Sequence, residues 1–301
     1  MICRICPRAC GVNRPDSREA AVGLGRCRMG RWPVVARAAA HFGEEPCISG
    51  TRGSGTVFFS GCSLGCVYCQ NGKISQQNFG KEISPSRLRD IFFELIEQGV
   101  HNINLVNPSH FAESIAEALE EPLPVPVVYN TSGYERVETL KLLEGKIQVY
   151  LPDYKYALSK PAARYSLAAD YPATAASAIY EMFRQCGSYR LDDEGILQQG
   201  VLIRHLVLPA NLANTYAVID WLNRHFKKGE VLFSLMGQYT PCGNLANFPE
   251  LQRSLTQEEY QRAEEYLLAS GWEDGYLQEP EAAGTEAIPE FDLTGVNPDW
   301  Q

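Results

Sequence analysis

From residue 56 onward the sequence repeats one pattern, a short apolar run followed by an amphipathic stretch. Short apolar runs are typical of buried strands, and apolar residues spaced by three and four are typical of helices. Six β-then-α units in succession predict a parallel sheet with right-handed crossovers. The six predicted strands are TVFFSG (56–61), NINLVN (102–107), VPVVYN (125–130), IQVYLP (147–152), VLIRHLVLP (201–209) and VLFSLM (231–236).

Six units are fewer than the eight that close a full (β/α) barrel. We therefore predict an α/β fold of the partial (β/α)6 TIM-like type, in preference to a doubly wound sheet. In either architecture, ligands bind at the carboxyl ends of the parallel strands. A cysteine-rich loop directly follows the first predicted strand, so we expect it at this rim.

The chain divides into three predicted parts. Residues 1–50 contain many cysteines, arginines and glycines with little periodicity, which predicts an irregular segment ordered by a metal or cluster. Residues 51–240 form the predicted partial barrel. Residues 241–301 contain one clear helix, TQEEYQRAEEYLLASG, followed by a Pro/Glu-rich tail.

Composition excludes several classes of function. The net charge of −9 argues against a general nucleic-acid-binding surface, which is usually basic. No run approaches the roughly 18 apolar residues of a membrane span, and the start, MICRICPRACGV, has no apolar signal-peptide core. We therefore expect a cytoplasmic protein without membrane or nucleic-acid partners. In a reducing cytosol its 10 cysteines indicate metal or redox chemistry rather than disulfides.

The loop GCSLGCVYCQN (61–71) places three cysteines, Cys62, Cys66 and Cys69, in C-x3-C-x2-C spacing. Three thiolates on a four-iron, four-sulfur cluster leave one iron open to a small chelating molecule. Gly65 would let the loop wrap tightly, and Tyr68 would shield the cluster from water. The alternatives are a zinc site, which needs a fourth ligand near the loop, and inert thiols.

This spacing, with an aromatic residue before the last cysteine, resembles the radical S-adenosylmethionine superfamily. The resemblance implies a (β/α)6 partial barrel and a [4Fe–4S] cluster whose open iron binds S-adenosylmethionine. It further implies an oxidoreductase that cleaves this cofactor reductively to a 5′-deoxyadenosyl radical, which abstracts a substrate hydrogen.

Several longer stretches resemble the pyruvate formate-lyase activating enzyme-related (PflX-like) family, among them NINLVNPSH, VVYNTSGYE, YLPDYKY and IRHLVLP. This resemblance covers nearly all of the chain. It implies an activase of a glycyl radical enzyme, with an electron donor such as flavodoxin or ferredoxin. Two alternatives are radical modification of a peptide or small molecule and a non-catalytic iron–sulfur electron carrier.

Polar residues follow the predicted strands where the cofactor would bind. NTSG and DYK resemble turns of glycyl-radical activases, whereas NPSH replaces the glycine-rich turn common in the superfamily. The ordinary alternatives are helix caps, solvated ion pairs and, for the histidine of strand five, a buried hydrogen-bonded side chain. The candidate cofactor-binding residues are Asn107, Ser109, His110, Asn130, Ser132, Asp153, Lys155 and His205.

A second cysteine group lies at the N-terminus, where Cys3, Cys6, Cys10 and Cys27 have C-x2-C-x3-C-x16-C spacing. Four thiolates suit either zinc or an auxiliary iron–sulfur cluster. A cluster could relay electrons, whereas zinc could only stabilise structure, and the spacing leaves both open.

Overall fold

The structure is a computed structural model that describes residues 2–15, 25–279 and 289–297. A ten-stranded sheet forms the centre of this part of the chain. Its strands are β1 (Val34–His41), β2 (Ser54–Phe59), β3 (Lys81–Glu82), β4 (Ile103–Val106), β5 (Val127–Thr131), β6 (Val149–Pro152), β7 (Arg190–Leu191), β8 (Leu197–Leu206), β9 (Leu232–Met236) and β10 (Gly275–Gln278).

The strands follow the order β10-β9-β8-β6-β5-β4-β2-β1-β3, with β7 pairing with β8 beside this path. From β2 to β10 every neighbouring pair is parallel, whereas β1 is antiparallel to β2 and to β3. The six predicted strands correspond to β2, β4, β5, β6, β8 and β9, which confirms the predicted α/β fold. Within the described residues β3 and β10 lie at opposite ends of the path, so the barrel is open.

The predicted helices form between the strands. In α3, Pro85 occupies the first turn, and the Ser84 side chain accepts a hydrogen bond from the Arg87 amide at 3.1 Å. This cap begins the helix where the sequence signals placed it. The helices of the described residues are α1 (Pro46–Ser49), α2 (Gly72–Ser75), α3 (Pro85–Glu97), α4 (Ala112–Ala118), α5 (Val137–Lys141), α6 (Ser159–Ser166), α7 (Tyr171–Cys186), α8 (Leu212–His225) and α9 (Gln257–Ala269).

Several elements differ from the sequence expectations. Strand β1 lies inside the N-terminal segment that was expected to be irregular, and helix α6 precedes α7 between β6 and β8. The short strands β3 and β7 were not predicted, and β10 adds a seventh parallel strand. The alanine-rich β1 has little apolar alternation, and β10 is only partly buried, so neither gives a strong pattern. Tertiary pairing rather than local preference forms both strands.

The described end of the tail covers β1. The Ala38 amide donates to Thr294 O at 2.8 Å, and the Leu293 amide donates to Ala36 O at 3.0 Å. The Phe291 ring packs edge-on against Phe58 of β2. Because an uncovered strand edge is prone to pairing with other chains, this segment protects the antiparallel side of the sheet.

Candidate functional site

The three-cysteine loop leaves the carboxyl end of β2, as the sequence predicts. Hydroxyl donors from two helices reach its sulfurs: Ser166 Oγ lies 3.2 Å from Cys66 Sγ, and Ser75 Oγ lies 3.2 Å from Cys69 Sγ. The Gly65 amide lies 3.4 Å from the Cys62 sulfur. Donors directed at sulfur favour the thiolate over the thiol, which suits metal ligation.

Burial has the opposite effect on these thiols. Burial, followed by the proximity of Cys69 and Cys66, raises the pKa of Cys62 to about 12. Burial and then the charge of Cys66 also raise the pKa of Cys69. Three neighbouring thiolates need a cation to offset burial and their mutual repulsion, and a metal centre supplies that charge. The loop therefore fits the predicted cluster.

Tyr68 does not project into solvent over the loop. Its hydroxyl lies 2.7 Å from that of Tyr156, and its ring packs edge-on against those of Tyr165 and Tyr239. This aromatic group closes one side of the cysteine loop from water.

Gly65 lies against the N-terminal segment. Its φ is +68°, a region that favours glycine, and an added Cβ would lie 2.6 Å from Arg26 Nη2. The side chain that comes closest to this position is therefore an arginine of the N-terminal segment.

Cys242 approaches the loop from the segment after β9. Burial raises the pKa of its thiol to about 11, and Cys69 adds to this effect. The thiol donates to Tyr68 O at 3.0 Å. Cys242 thus contacts the backbone of the loop through its S–H.

Five side chains at the strand ends form one largely buried network, which we call the Arg204 network. Arg204 Nε lies 3.0 Å from Asp153, its Nη1 lies 2.9 Å from Glu44, and its Nη2 lies 2.7 Å from the Asn130 side chain. Lys155 Nζ lies 2.6 Å from Asp153. The Arg204 network therefore joins Glu44 of the β1–α1 segment to the ends of β5, β6 and β8.

Electrostatics join the Arg204 network to the cysteine loop. Burial opposes the ammonium form of Lys155, but Asp153 and then Cys66 outweigh it and raise the Lys155 pKa. Burial likewise opposes the charged form of Asp153, but Lys155 and Arg204 together lower its pKa. Both groups are charged at neutral pH, and the Lys155 ammonium lies close enough to Cys66 to sense its charge.

Glu45, next to Glu44, is nearly fully buried and has an oxygen without a hydrogen-bond partner among the described residues. Its other oxygen accepts from Gln278 of β10 at 3.2 Å. Burial raises the Glu45 pKa, and the Glu44 charge adds to this, although Arg204 opposes both. This interior is therefore rich in acceptors.

The structure brings Asn130, Asp153 and Lys155 together, but it separates other candidates from them. Ser109 donates to buried Glu135, and the His110 ring lies 2.7 Å from Ser60 O. The Asn107 side chain donates to Gly61 O, and Ser132 lies just beyond β5 with its hydroxyl unpartnered among the described residues. His205 lies 2.9 Å from Tyr154 O and 3.0 Å from Thr215 Oγ1.

The placement of His205 follows from strand alternation. Successive side chains on β8 point to opposite faces, so Arg204 enters the interior and His205 packs against α8. Both ring nitrogens of His205 are already bonded, which leaves no atom for a cofactor. Sequence reasoning did not include Glu44, Glu45 or Arg204 among the cofactor candidates. Their only signal was a pair of adjacent acids and the alternation along β8.

The four N-terminal cysteines share one cavity. Cys3, Cys6, Cys10 and Cys27 line one cavity with Met29 and His110 among its walls. Among the described residues, no three His, Cys, Asp or Glu side chains converge closely enough to hold a single metal ion. A helix long and apolar enough to cross a membrane is likewise absent from the described chain.

Comparisons with known proteins agree with this geometry. Residues 49–140 match the model of a 4Fe-4S single cluster domain, a range that contains all three loop cysteines. The chain is 30% identical over 272 residues to the uncharacterized protein MJ0674 of Methanocaldococcus jannaschii, covering 87% of this chain and 72% of that protein.

Two solved structures align with the chain, and the first of them is similar in fold. Methylornithine synthase (PylB) aligns with a TM-score of 0.50 and 13% identity over 79% of this chain and 77% of that chain. Streptococcus suis SuiB bound to the precursor peptide SuiA aligns with a TM-score of 0.48 and 11% identity over 73% of this chain and 46% of that chain. The domain match supports a four-iron, four-sulfur cluster in this part of the chain, and the alignment with methylornithine synthase supports the α/β fold.

Proposed function

Because the chain belongs to the same family as the Methanocaldococcus jannaschii protein MJ0674 and carries a 4Fe-4S cluster domain, we propose that it is a radical S-adenosylmethionine oxidoreductase. The observation that carries this proposal is the three-cysteine loop at the carboxyl ends of the parallel strands, beside the Arg204 network. A metal-holding loop and a set of buried charges that face one another can bind a small charged cofactor between them.

Cys62, Cys66 and Cys69 would hold the cluster. When bound, the cluster would supply the one electron needed for reductive cleavage of S-adenosylmethionine, the chemistry that leads to hydrogen abstraction from a substrate. The Tyr68 aromatic group would exclude water from this side of the site.

The remaining polar groups would orient the cofactor. The charge of Cys66 contributes to the raised pKa of Lys155, so this ammonium group lies near the loop and would pair with the methionine carboxylate. Asp153 holds Lys155 in place and offers an acceptor for the amino group. Asn130 has both an amide donor and an acceptor at the end of β5, which suits ribose hydroxyls.

We further propose that the substrate hydrogen belongs to a glycine of a partner glycyl radical enzyme. The resemblance to the PflX-like family supports this role, with flavodoxin or ferredoxin as the electron donor.

Anaerobic reconstitution tests the radical chemistry. We expect S-adenosylmethionine and a strong reductant to yield 5′-deoxyadenosine with the wild type, and Cys66→Ala to abolish the product. Cys186→Ala is the matched control because Cys186 is also a buried free thiol, but it lies on α7 and bonds to Ile147 O. If the wild type with a full complement of iron produced no 5′-deoxyadenosine, the proposal would be wrong.

Electron paramagnetic resonance tests the activase role separately. Candidate glycyl radical enzymes are mixed with the reduced protein and cofactor, and a glycine-centred radical signal is sought. Cofactor cleavage without such a signal on any partner, but with modification of a peptide or small molecule, would favour the alternative substrate class.

A further inference from the structure

We propose that Cys3, Cys6, Cys10 and Cys27 hold a second thiolate-ligated metal centre, and that this centre fixes two arginines on the catalytic loop. The presence of the metal does not depend on the proposed function. The effect on the loop rests on that function, because it acts through the cluster of Cys62, Cys66 and Cys69.

The four cysteines share one enclosed space. They line a cavity of about 10 Å³, close to the room that a single water-sized particle needs. Cys3 and Cys6 are almost fully buried, at 8% and 6% exposure. Outside a disulfide or a metal site, four thiols in such a short irregular segment have no structural reason to meet.

A second observation points to a ligand in this cavity. His110, one of the cavity-lining residues, is 1% exposed, and its Nδ1 has no hydrogen-bond partner among the described residues. A buried nitrogen without a partner is costly unless a bound group satisfies it. The four thiolates alone complete the ligand set of a structural zinc or an iron–sulfur centre, so His110 would border the bound centre without ligating it.

The thiols surround the cavity without converging on one point. Zinc would draw them inward by side-chain rotation to about 2.3 Å from the ion. An iron–sulfur cluster would bind each thiolate to a different iron, and it would need a wider cavity than the one between these four cysteines. Both metals give the same tetrathiolate chemistry, and metal analysis distinguishes them.

The cysteines flank the arginines that hold the catalytic loop. Arg8 lies between Cys6 and Cys10, and its guanidinium donates to Ser63 O at 3.0 Å and to Leu64 O at 3.2 Å. It also donates to Ser166 O at 2.8 Å, and Ser166 is the residue whose hydroxyl reaches Cys66.

Arg26 lies next to Cys27 in the sequence. Its guanidinium donates to Leu64 O at 3.2 Å and to Gly65 O at 3.4 Å, and its backbone amide lies 3.4 Å from the Cys10 sulfur. Both arginines therefore bind the carbonyls between Cys62 and Cys66.

Close packing strengthens this connection. An added Cβ on Gly61, the residue before Cys62, would lie 2.7 Å from Met29 and 3.0 Å from Cys27 O. The N-terminal segment is thus in direct contact with the start of the catalytic loop. A metal at the four cysteines would restrict both arginines, because each is within two residues of a ligand.

The two arginines also place positive charge beside the cluster. Net charge and hydrogen bonding around a cluster set its reduction potential, and a nearby cation stabilises the more negative, reduced form. Arg8 and Arg26 should therefore make the catalytic cluster easier to reduce.

Metal analysis of two variants tests the second centre. In Cys62→Ser/Cys66→Ser/Cys69→Ser, which lacks the catalytic ligands, we expect about one zinc or about four irons per chain to remain. Cys10→Ser/Cys27→Ser should lose that metal, whereas the control Cys186→Ser should keep it. No metal in the triple variant overturns the proposal, even if the double variant fails to fold.

A redox titration tests the effect on the loop. In Arg8→Gln/Arg26→Gln the second metal should remain, while the ratio of reduced to oxidised catalytic cluster at a fixed potential should fall about 10-fold. This change corresponds to a reduction potential lower by about 59 mV for a one-electron couple. Arg89→Gln is the matched control, because Arg89 donates to two backbone carbonyls remote from the loop, Ala118 O and Glu121 O. An unchanged potential in the double arginine variant overturns the proposed effect on the loop. This readout needs no substrate turnover, so it is independent of whether the cofactor is cleaved.

Discussion

Replacing Arg204 by Met should destabilise the fold strongly at pH 8. The Arg204 side chain is only 14% exposed, and it contacts Asp153 at 3.0 Å, Glu44 at 2.9 Å and Glu45 at 3.8 Å. Removing one partner of a buried ion pair costs about 3–5 kcal/mol because the other charge stays buried without compensation. Here Lys155 still compensates Asp153, but Glu44 and Glu45 lose their cation, so we expect a loss within this range.

The destabilisation should depend on pH in a defined direction. Arg204 lowers the pKa values of Asp153 and Glu45 against burial, so its removal lets them rise. A carboxyl group whose folded pKa exceeds its unfolded value destabilises the fold increasingly as pH rises above the unfolded value. The deficit of Arg204→Met should therefore be largest near pH 8 and shrink toward pH 5, where these carboxyl groups take up protons.

Denaturant unfolding at pH 8 and pH 5 measures this effect. Lys228→Met is the control, because its ion pair with Glu273 has both side chains exposed, at 62% and 69%. Exposed pairs contribute little, so this control should resemble the wild type at both pH values. If Arg204→Met is as stable as the wild type at pH 8, or its deficit grows on acidification, the Arg204 network does not balance buried charge as described.

Three further predictions concern single residues. Gly65→Ala should lower the free energy of unfolding by about 1–2 kcal/mol, because residue 65 has a left-handed backbone, and it should lower the iron content of the protein. In the control Gly99→Ala, at φ +84° with open space around it, the iron content should stay at the wild-type level. Equal iron content in the two variants would contradict the role of Gly65 in the loop. Burial lowers the pKa of His205 to about 4, below the unfolded value near 6.5, so the free energy of unfolding should fall by about 2 kcal/mol between pH 7 and pH 5. His205→Gln should flatten this slope in denaturant titrations, and an identical slope would show that His205 is not buried neutral. Cys242→Ser should retain about four irons at the loop and its cofactor cleavage, and loss of the cluster would instead identify Cys242 as a fourth ligand.

The sequence alone determined the parallel sheet and the position of the cysteine loop. Six apolar runs of strand length, each followed by helical spacing, permit few topologies, and the carboxyl ends of parallel strands meet at one edge. The loop after the first of these runs therefore had to lie at that edge. Local patterns decide such features because each element signals its own type.

Only the tertiary structure decided which polar groups enter the interior. Neighbours such as Arg204 and His205 differ by one residue, and the two-residue period of a strand does not say which face is inside. Glu44 reaches Asn130 and Arg204 from a segment far away in the sequence, and Arg8 reaches Ser63 in the same way. Such contacts depend on the packing of whole elements, which no local pattern encodes.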